Sequence, residues 1–215
     1  TQVDNNKAAF EWGRRCAHDL AAVQAQFAAA QVIQFVKKPS LDEMVKKRVD
    51  FLTSYQDAAY AQQYAAFVAQ VRQAEAALKG TRLSEAVARY LFKLMAYKDE
   101  YEVARLHTDA AFAQQIADMF EGEVRLQHHL APPLLAKTDD KGELVKQVYG
   151  PWMHGAMKLL AHLKGLRGGA LDIFGRSAER REERALIGEY EDTIRELLKS
   201  LNASNHAQAA EIARL

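Results

Sequence analysis

The sequence predicts a mainly α protein, a helical bundle with long antiparallel helices and a small β-hairpin insertion around residues 124–149. Three observations predict it. Alanine is the commonest residue and β-branched residues are sparse. The four prolines, Pro39, Pro132, Pro133 and Pro151, leave residues 40–131 and 152–215 free of the strongest helix breaker. Apolar residues recur at steps of three and four over most of the chain and alternate only between Val124 and Tyr149.

Taken in order, the first helical segment starts near Asp4, a fitting N-cap, and carries Phe10, Ala17, Leu20 and Phe27, with Gly13 along it and Asp19 as a point of restart. Lys38–Pro39–Ser40 ends that region. Ser40 followed by Glu43 spells a capping box, the strongest local start signal in the chain. From there Leu41, Val45, Val49 and Leu52 lead into Tyr60, Tyr64, Phe67, Val71, Ala74 and Leu78, and Gly80 stops the series. Uninterrupted, this helix would reach about 57 Å at roughly 1.5 Å per residue, so a hairpin or a coiled-coil-like arm is expected, or a bend near Thr53–Ser54.

A second long helix is expected from about Thr81 to Leu106, with Leu83, Val87, Leu91, Leu94 and Tyr101 on one side. The short break at Lys79–Gly80 makes it an antiparallel neighbour of the first. A shorter helix follows Asp109 with Phe112, Ile116 and Phe120. Past Gly122 the pattern changes to alternation: Val124, Leu126 and His128, then Val145, Gln147 and Tyr149, around Pro132–Pro133 and a polar turn at Asp139–Gly142. Helix resumes from Trp152 to about Lys164, the Gly165–Gly169 region is a loop, and Ser177 caps a last long helix carrying Ile187, Tyr190, Ile194, Leu197 and Leu201. Neither a repeat period nor a low-complexity linker appears, so residues 1–215 read as one domain.

Composition excludes several classes of function. Hydrophobic residues make up 49% and charged residues 27%, which fits neither disorder nor a disulfide scaffold. Lys and Arg number 29 against 28 Asp and Glu, and a net charge of +1 gives no global field to collect nucleic acid or acidic lipid. The one cysteine, Cys16, allows neither an internal disulfide nor an all-cysteine zinc or iron–sulfur site. No apolar run approaches the roughly 20 residues that span a bilayer, since stretches such as Ala28–Ala30 and Gln31–Val36 are interrupted by Gln. Without a basic region leading into an apolar block at the N-terminus, a cytoplasmic setting is expected. A chain opening at Thr1 and stopping at Leu215 within a helical pattern reads as a domain excised from a larger protein.

Motifs for chemistry are few. Glu-x-x-His and His-Glu-x-x-His are absent, and the adjacent His128 and His129 would point to opposite faces of a strand. Gly165-Leu-Arg-Gly-Gly169 offers flexible amides and one cation but not the phosphate-binding Gly-x-x-x-x-Gly-Lys-Ser/Thr, so it reads as a helix end and a tight loop. Arg180, Arg181 and Arg184 alternate with Glu179, Glu182 and Glu183 as a charged helix face. Tyr55, Tyr60, Tyr64, Tyr90, Tyr97 and Tyr101 suit packing with the hydroxyl at the edge. Lys98 and Glu102 stand four apart, Glu102 and Arg105 three apart, in line with Leu91 and Met95. The pattern fits a solvated ion-pair ladder, or charge entering a partly buried interface.

Longer segments say more. Phe51-Leu-Thr-Ser-Tyr-Gln-Asp-Ala-Ala-Tyr-Ala61, Ala86 through Leu106, His129-Leu-Ala-Pro-Pro-Leu-Leu135, Gly150-Pro-Trp-Met153, Leu163-Lys-Gly-Leu-Arg-Gly-Gly169, Phe174-Gly175, Ala178-Glu-Arg180, Asn205-His206 and Glu211-Ile-Ala-Arg-Leu215 together resemble the C-terminal helical region of bacterial fused indolepyruvate ferredoxin oxidoreductases. The likeness covers nearly the whole chain. It implies a parent enzyme that depends on thiamine diphosphate, oxidatively decarboxylates arylpyruvates to the aryl-acetyl-coenzyme A thioester, and passes electrons through iron–sulfur chemistry to ferredoxin.

The family's Gly-Asp-Gly thiamine diphosphate signature is missing from these 215 residues, and one cysteine cannot hold a cluster. No catalytic, cofactor-binding or metal-binding residue carries over. The resemblance therefore implies an accessory, scaffolding domain whose partners are the parent's other domains or a second copy of itself. Lys93, Lys98, Asp99, Glu102 and Arg105 are the candidate polar interface. The alternative is an independent interaction module dimerising through the residue 41–78 helix.

Overall fold

The computed structural model describes residues 2–27, 38–78, 80–122, 124–130, 137–138 and 144–214. Lys79, the Pro132–Pro133 break, the turn at Asp139–Gly142 and the Gln-interrupted run at 28–36 lie outside the described residues. The chain divides into two compact units at Lys38.

The first unit holds α1 (Gln2–His18) and α2 (Leu20–Phe27). Helix begins at Gln2, ahead of the expected cap at Asp4. Asp19 does restart it, because its Oδ1 accepts the Ala22 N–H at 2.9 Å and satisfies a donor left free at a helix start. Along α1 no residue is buried and Phe10 is exposed, while Val23 of α2 is buried.

The second unit runs in the order α3 (Leu41–Tyr55), α4 (Ala58–Glu75), α5 (Arg82–Met95), α6 (Glu100–His107), α7 (Ala110–Met119), β1 (His128–Leu130), β2 (Lys137–Thr138), β3 (Leu144–Val145), β4 (Gln147–Tyr149), α8 (Trp152–His162), α9 (Ala178–Lys199) and α10 (His206–Ile212). It is mainly helical with a small antiparallel hairpin. Helix α5 is its axis and packs on α3, α4, α9 and α10. The reason is its inner face, where Leu83, Val87, Leu91 and Met95 recur every fourth residue and are fully enclosed. Each such side chain contributes on the order of 1.5–3 kcal/mol by burial.

Both long helices expected from the sequence are broken, and by the same device. After Tyr55 the backbone extends at Asp57, whose Oδ1 accepts the Tyr60 N–H at 2.8 Å and starts α4. The break falls two residues past Thr53–Ser54, and α3 and α4 fold back on each other as a hairpin. Their apolar faces, including Leu52, Tyr55, Tyr64, Phe67 and Val71, are consumed by this chain's own core. Among the described residues, none of the exposed large hydrophobic side chains falls within 41–78. The second break falls at Ala96–Asp99, where the Asp99 Oδ1 accepts the Glu102 N–H at 2.8 Å and caps α6.

Breaking a helix frees carbonyls that must find donors. Tyr60 donates its hydroxyl to the Met95 carbonyl at 2.9 Å and Tyr55 to that of Tyr97 at 2.8 Å, while Tyr64 donates to Ala88. The tyrosine hydroxyls are thus inside the bundle rather than at its edge. At the other end of α5, Thr81 makes no side-chain cap. The Glu75 carboxylate, fully buried, replaces it by accepting the N–H groups of Leu83 and Ser84, both at 2.8 Å, and His206 of α10 meets the same carboxylate at 2.5 Å.

The expected starts at Ser40, Asp109 and Ser177 are present, with the Ser40–Glu43 capping box closed in both directions. In the hairpin, β1 pairs antiparallel with β4 so that His128 faces Tyr149 and Leu130 faces Gln147, and β2 pairs with β3. Around β4 a second small core of Ala104, Tyr149, Met153 and Met157 joins α6 to α8. Helix α8 ends at His162 and passes into a single tight turn, Leu163–Leu166.

Candidate functional site: a buried arginine, a glycine loop and a histidine cluster

The last turn of α3 leaves carbonyls at Thr53, Ser54 and Tyr55, and the segment after α8 supplies their donors. Lys164 Nζ reaches the Ser54 carbonyl at 2.5 Å, and Arg167 Nη1 reaches that of Tyr55 at 2.6 Å. The same guanidinium grips Asp99 with two bonds, Nε to Oδ2 at 2.5 Å and Nη2 to Oδ1 at 2.9 Å. It lies 3.6 Å from the centre of the Tyr55 ring. The side chains of Arg167 and Asp99 are only 2% and 4% exposed, so this is a buried bidentate pair with an aromatic floor. One residue ties together the end of α3, the start of α6 and the glycine loop. Burial and the proximity of Arg105 and Arg167 lower the pKa of Lys164, and burial raises that of Tyr55.

Beyond Arg167 the chain turns back at Gly168, whose φ of 73° lies in the left-handed region that favours glycine. Asp172 closes the loop. Its carboxylate accepts the N–H groups of Gly168 at 2.8 Å, Gly175 at 2.9 Å and Phe174 at 3.2 Å, and the Tyr101 hydroxyl at 3.2 Å. Burial alone would raise its pKa, but these donors outweigh burial and hold it below the usual carboxylate range. The same contact, with burial, pushes the Tyr101 hydroxyl up to about 12.

A cavity of about 360 Å³ opens beside this loop, bounded by Gly168, Gly169 and Gly175 and by Arg176, Arg181 and Arg184. Arg184 donates Nη2 to the Gly175 carbonyl at 2.5 Å and acts electrostatically on Tyr97, while its Nη1 is enclosed without a hydrogen bond. Gly175 keeps the space between Asp172 and Arg184 open, for a Cβ there would stand 2.2 Å from Asp172 Oδ2 and 2.9 Å from Arg184 Nη1.

A third cluster joins α6, β1 and α8. The ring of His128, itself 4% exposed, lies 5.4 Å from that of His107 and 6.1 Å from that of His154. His128 Nε2, His154 Nδ1 and the Tyr149 hydroxyl are enclosed without hydrogen bonds. Burial, then the neighbouring imidazoles, lowers the pKa of His128, and burial with Lys98 and His154 lowers that of His107. Among the described residues, no group of three or more His, Cys, Asp or Glu is placed to hold a metal ion, and no helix is long and apolar enough to cross a membrane.

With this geometry in place, comparison with protein families matches residues 41–215 to a family of unknown function, DUF6537. The chain belongs to that family. No curated protein and no solved structure matches it. The family's span begins at the first residue of α3, so every element of the buried-arginine junction, the glycine loop and the histidine cluster falls inside it.

The five residues expected to form a polar interface do not share a surface. Asp99 and Glu102 are buried in the chain's own interior, Asp99 on Arg167 and Glu102 on Arg105, which it holds with two bonds of 2.7 Å each. Arg105 also lies over the Phe51 ring. Lys93 is exposed and sits over Tyr90, and exposed Lys98 lines a separate cleft with His107 and Leu130. The helix break at Asp99 makes it the N-cap of α6, where its carboxylate accepts the Glu102 N–H and pairs with Arg167 in the interior. Arg167 and Asp172, which organise the region, stood in the sequence only as a cation and an acid around a glycine cluster.

Proposed function

We propose that the chain is the accessory helical domain of a 2-oxoacid:ferredoxin oxidoreductase of the indolepyruvate type, supplying a packing surface to a reaction centre built on other domains. The outer face of α8 carries this reading. Met153 and Met157 turn inward, while Trp152 and Leu159 of α8 and Leu163 of the turn that follows it are exposed by 63%, 66% and 42%. A helix apolar on both sides is normally covered on both sides. The segments Gly150–Met153 and Leu163–Gly169, which carry part of the resemblance, bracket this helix. The occupant we assign to the outer face is the catalytic part of the same enzyme.

In that enzyme, thiamine diphosphate and the iron–sulfur clusters belong to the other domains, coenzyme A and ferredoxin are partners of the whole enzyme, and the setting is the cytoplasm. Neither cofactor fits the residues present here. A cluster takes four thiolates, Cys16 is the one cysteine, and no thiamine diphosphate signature occurs. The test is Leu159→Glu with Leu163→Glu in the complete oxidoreductase. The doubly substituted chain keeps its helix content by circular dichroism but no longer assembles with the catalytic domains. Full assembly with undiminished arylpyruvate-dependent ferredoxin reduction would overturn the proposal.

A further inference from the structure

We propose that the cavity between the glycine loop and the first turns of α9 binds a small molecule through its phosphate or diphosphate group. Three guanidinium groups, those of Arg176, Arg181 and Arg184, border it against one carboxylate, that of Asp172. That carboxylate already accepts three backbone N–H groups and a phenol, and its single charge is outnumbered by the three guanidinium groups. The arginines are not equally committed. Arg176 gives one nitrogen to the Ala170 carbonyl at 2.9 Å and Arg184 gives one to Gly175. The Arg181 guanidinium makes no hydrogen bond or ion pair among the described residues, unlike its neighbour Arg180, which is taken up by Glu183 and Glu100.

Size and charge agree on the ligand. About 360 Å³ lies within the range of small-molecule sites and exceeds what a bare phosphate fills. The N–H groups of Gly168, Gly169 and Gly175 are already bonded within the loop, so the arginines are the donors left to a ligand. Guanidinium is planar and matches phosphate oxygens two at a time, and three of them suit a group carrying two or three negative charges. An acidic protein segment is the rival occupant. A cavity of about 360 Å³ suits a compact anion better than an extended chain. The site is independent of the oxidoreductase proposal and stands or falls without it.

Inorganic pyrophosphate is the probe, titrated calorimetrically into the whole chain. The expected result is one site per chain, with an affinity that weakens as sodium chloride is raised and falls about tenfold in Arg181→Ala. Arg181 is exposed and without a side-chain partner, so that variant keeps the fold, and an unchanged melting temperature checks this. Arg195→Ala, on the part of α9 where Arg195 pairs with Glu191 and Asp192, leaves the affinity unchanged. The proposal is overturned if the wild-type chain shows no saturable binding up to millimolar pyrophosphate. It is equally overturned if Arg181→Ala binds as tightly as wild type, or if a polyglutamate peptide binds where pyrophosphate does not.

Discussion

Removing Arg167 should be among the most damaging single changes available to this chain. In Arg167→Met the volume is roughly kept, but Asp99 loses both guanidinium bonds while staying buried, and the Tyr55 carbonyl loses its donor. Leaving one member of a buried ion pair uncompensated costs about 3–5 kcal/mol. Asp99→Asn strands the arginine instead and should cost a similar amount, since asparagine still caps α6 as well as aspartate does. The double variant removes both charges and leaves no buried ion behind. Its destabilisation should therefore fall short of the sum of the singles by about 2–3 kcal/mol. Urea unfolding followed by far-ultraviolet circular dichroism measures all three. Additivity to within about 0.5 kcal/mol would refute the buried pair as the tie between α3, α6 and the glycine loop.

Three further outcomes follow from the same geometry. Gly175→Ala should cost about 2–3 kcal/mol by driving a methyl group into the Asp172 carboxylate, whereas Gly155→Ala, with open space around its Cβ in α8, should raise stability by about 0.5–1 kcal/mol; thermal melts compare them. Burial raises the pKa of Glu75, but the bonds from Ser84, His206 and Leu83 outweigh it and leave the folded value below the ordinary one. Its stabilisation is therefore complete above the unfolded pKa and lost as pH falls through the folded one, and Glu75→Gln should flatten the melting temperature against pH below about 4.5. His128 has the same sign for a different reason. Its folded pKa is depressed by burial and by His107 and His154, so the unfolded chain takes the proton first and stability declines as pH drops below about 6.5. His128→Leu should reduce that decline, and equal slopes in the two proteins would refute it; His107, which faces Lys98, keeps part of it.

What the sequence made legible was whatever is local. The Ser40–Glu43 box, the caps at Asp109 and Ser177 and the alternation that pairs His128 with Tyr149 each follow from residues a few positions apart or from period alone. The break at Asp57 was legible only as a bend near Thr53–Ser54, and the one at Asp99 was hidden, because neither Gly nor Pro marks them. Asp57 and Asp99 do the work as N-caps, and an aspartate within an apolar-periodic run reads equally well as an exposed helix residue. The signal was nonetheless present, in that each aspartate stands just ahead of a fresh apolar series. The junction was not recoverable at all. Arg167 meets Asp99 across 68 residues, and Tyr101 meets Asp172 across 71, so only the folded chain brings them together. Tyrosines at helical spacing suggested packing, and the packing is there. That their hydroxyls also close the carbonyls freed at the end of α5 depends on the break at Asp99, which the spacing did not show.

The most direct test of the central proposal is light scattering of this chain, alone and mixed with the thiamine diphosphate and iron–sulfur domains of the oxidoreductase. We predict a monomer alone and a one-to-one complex with those domains, lost when Leu159 and Leu163 become glutamate. A chain that forms a stable dimer of itself and ignores the catalytic domains would contradict the account.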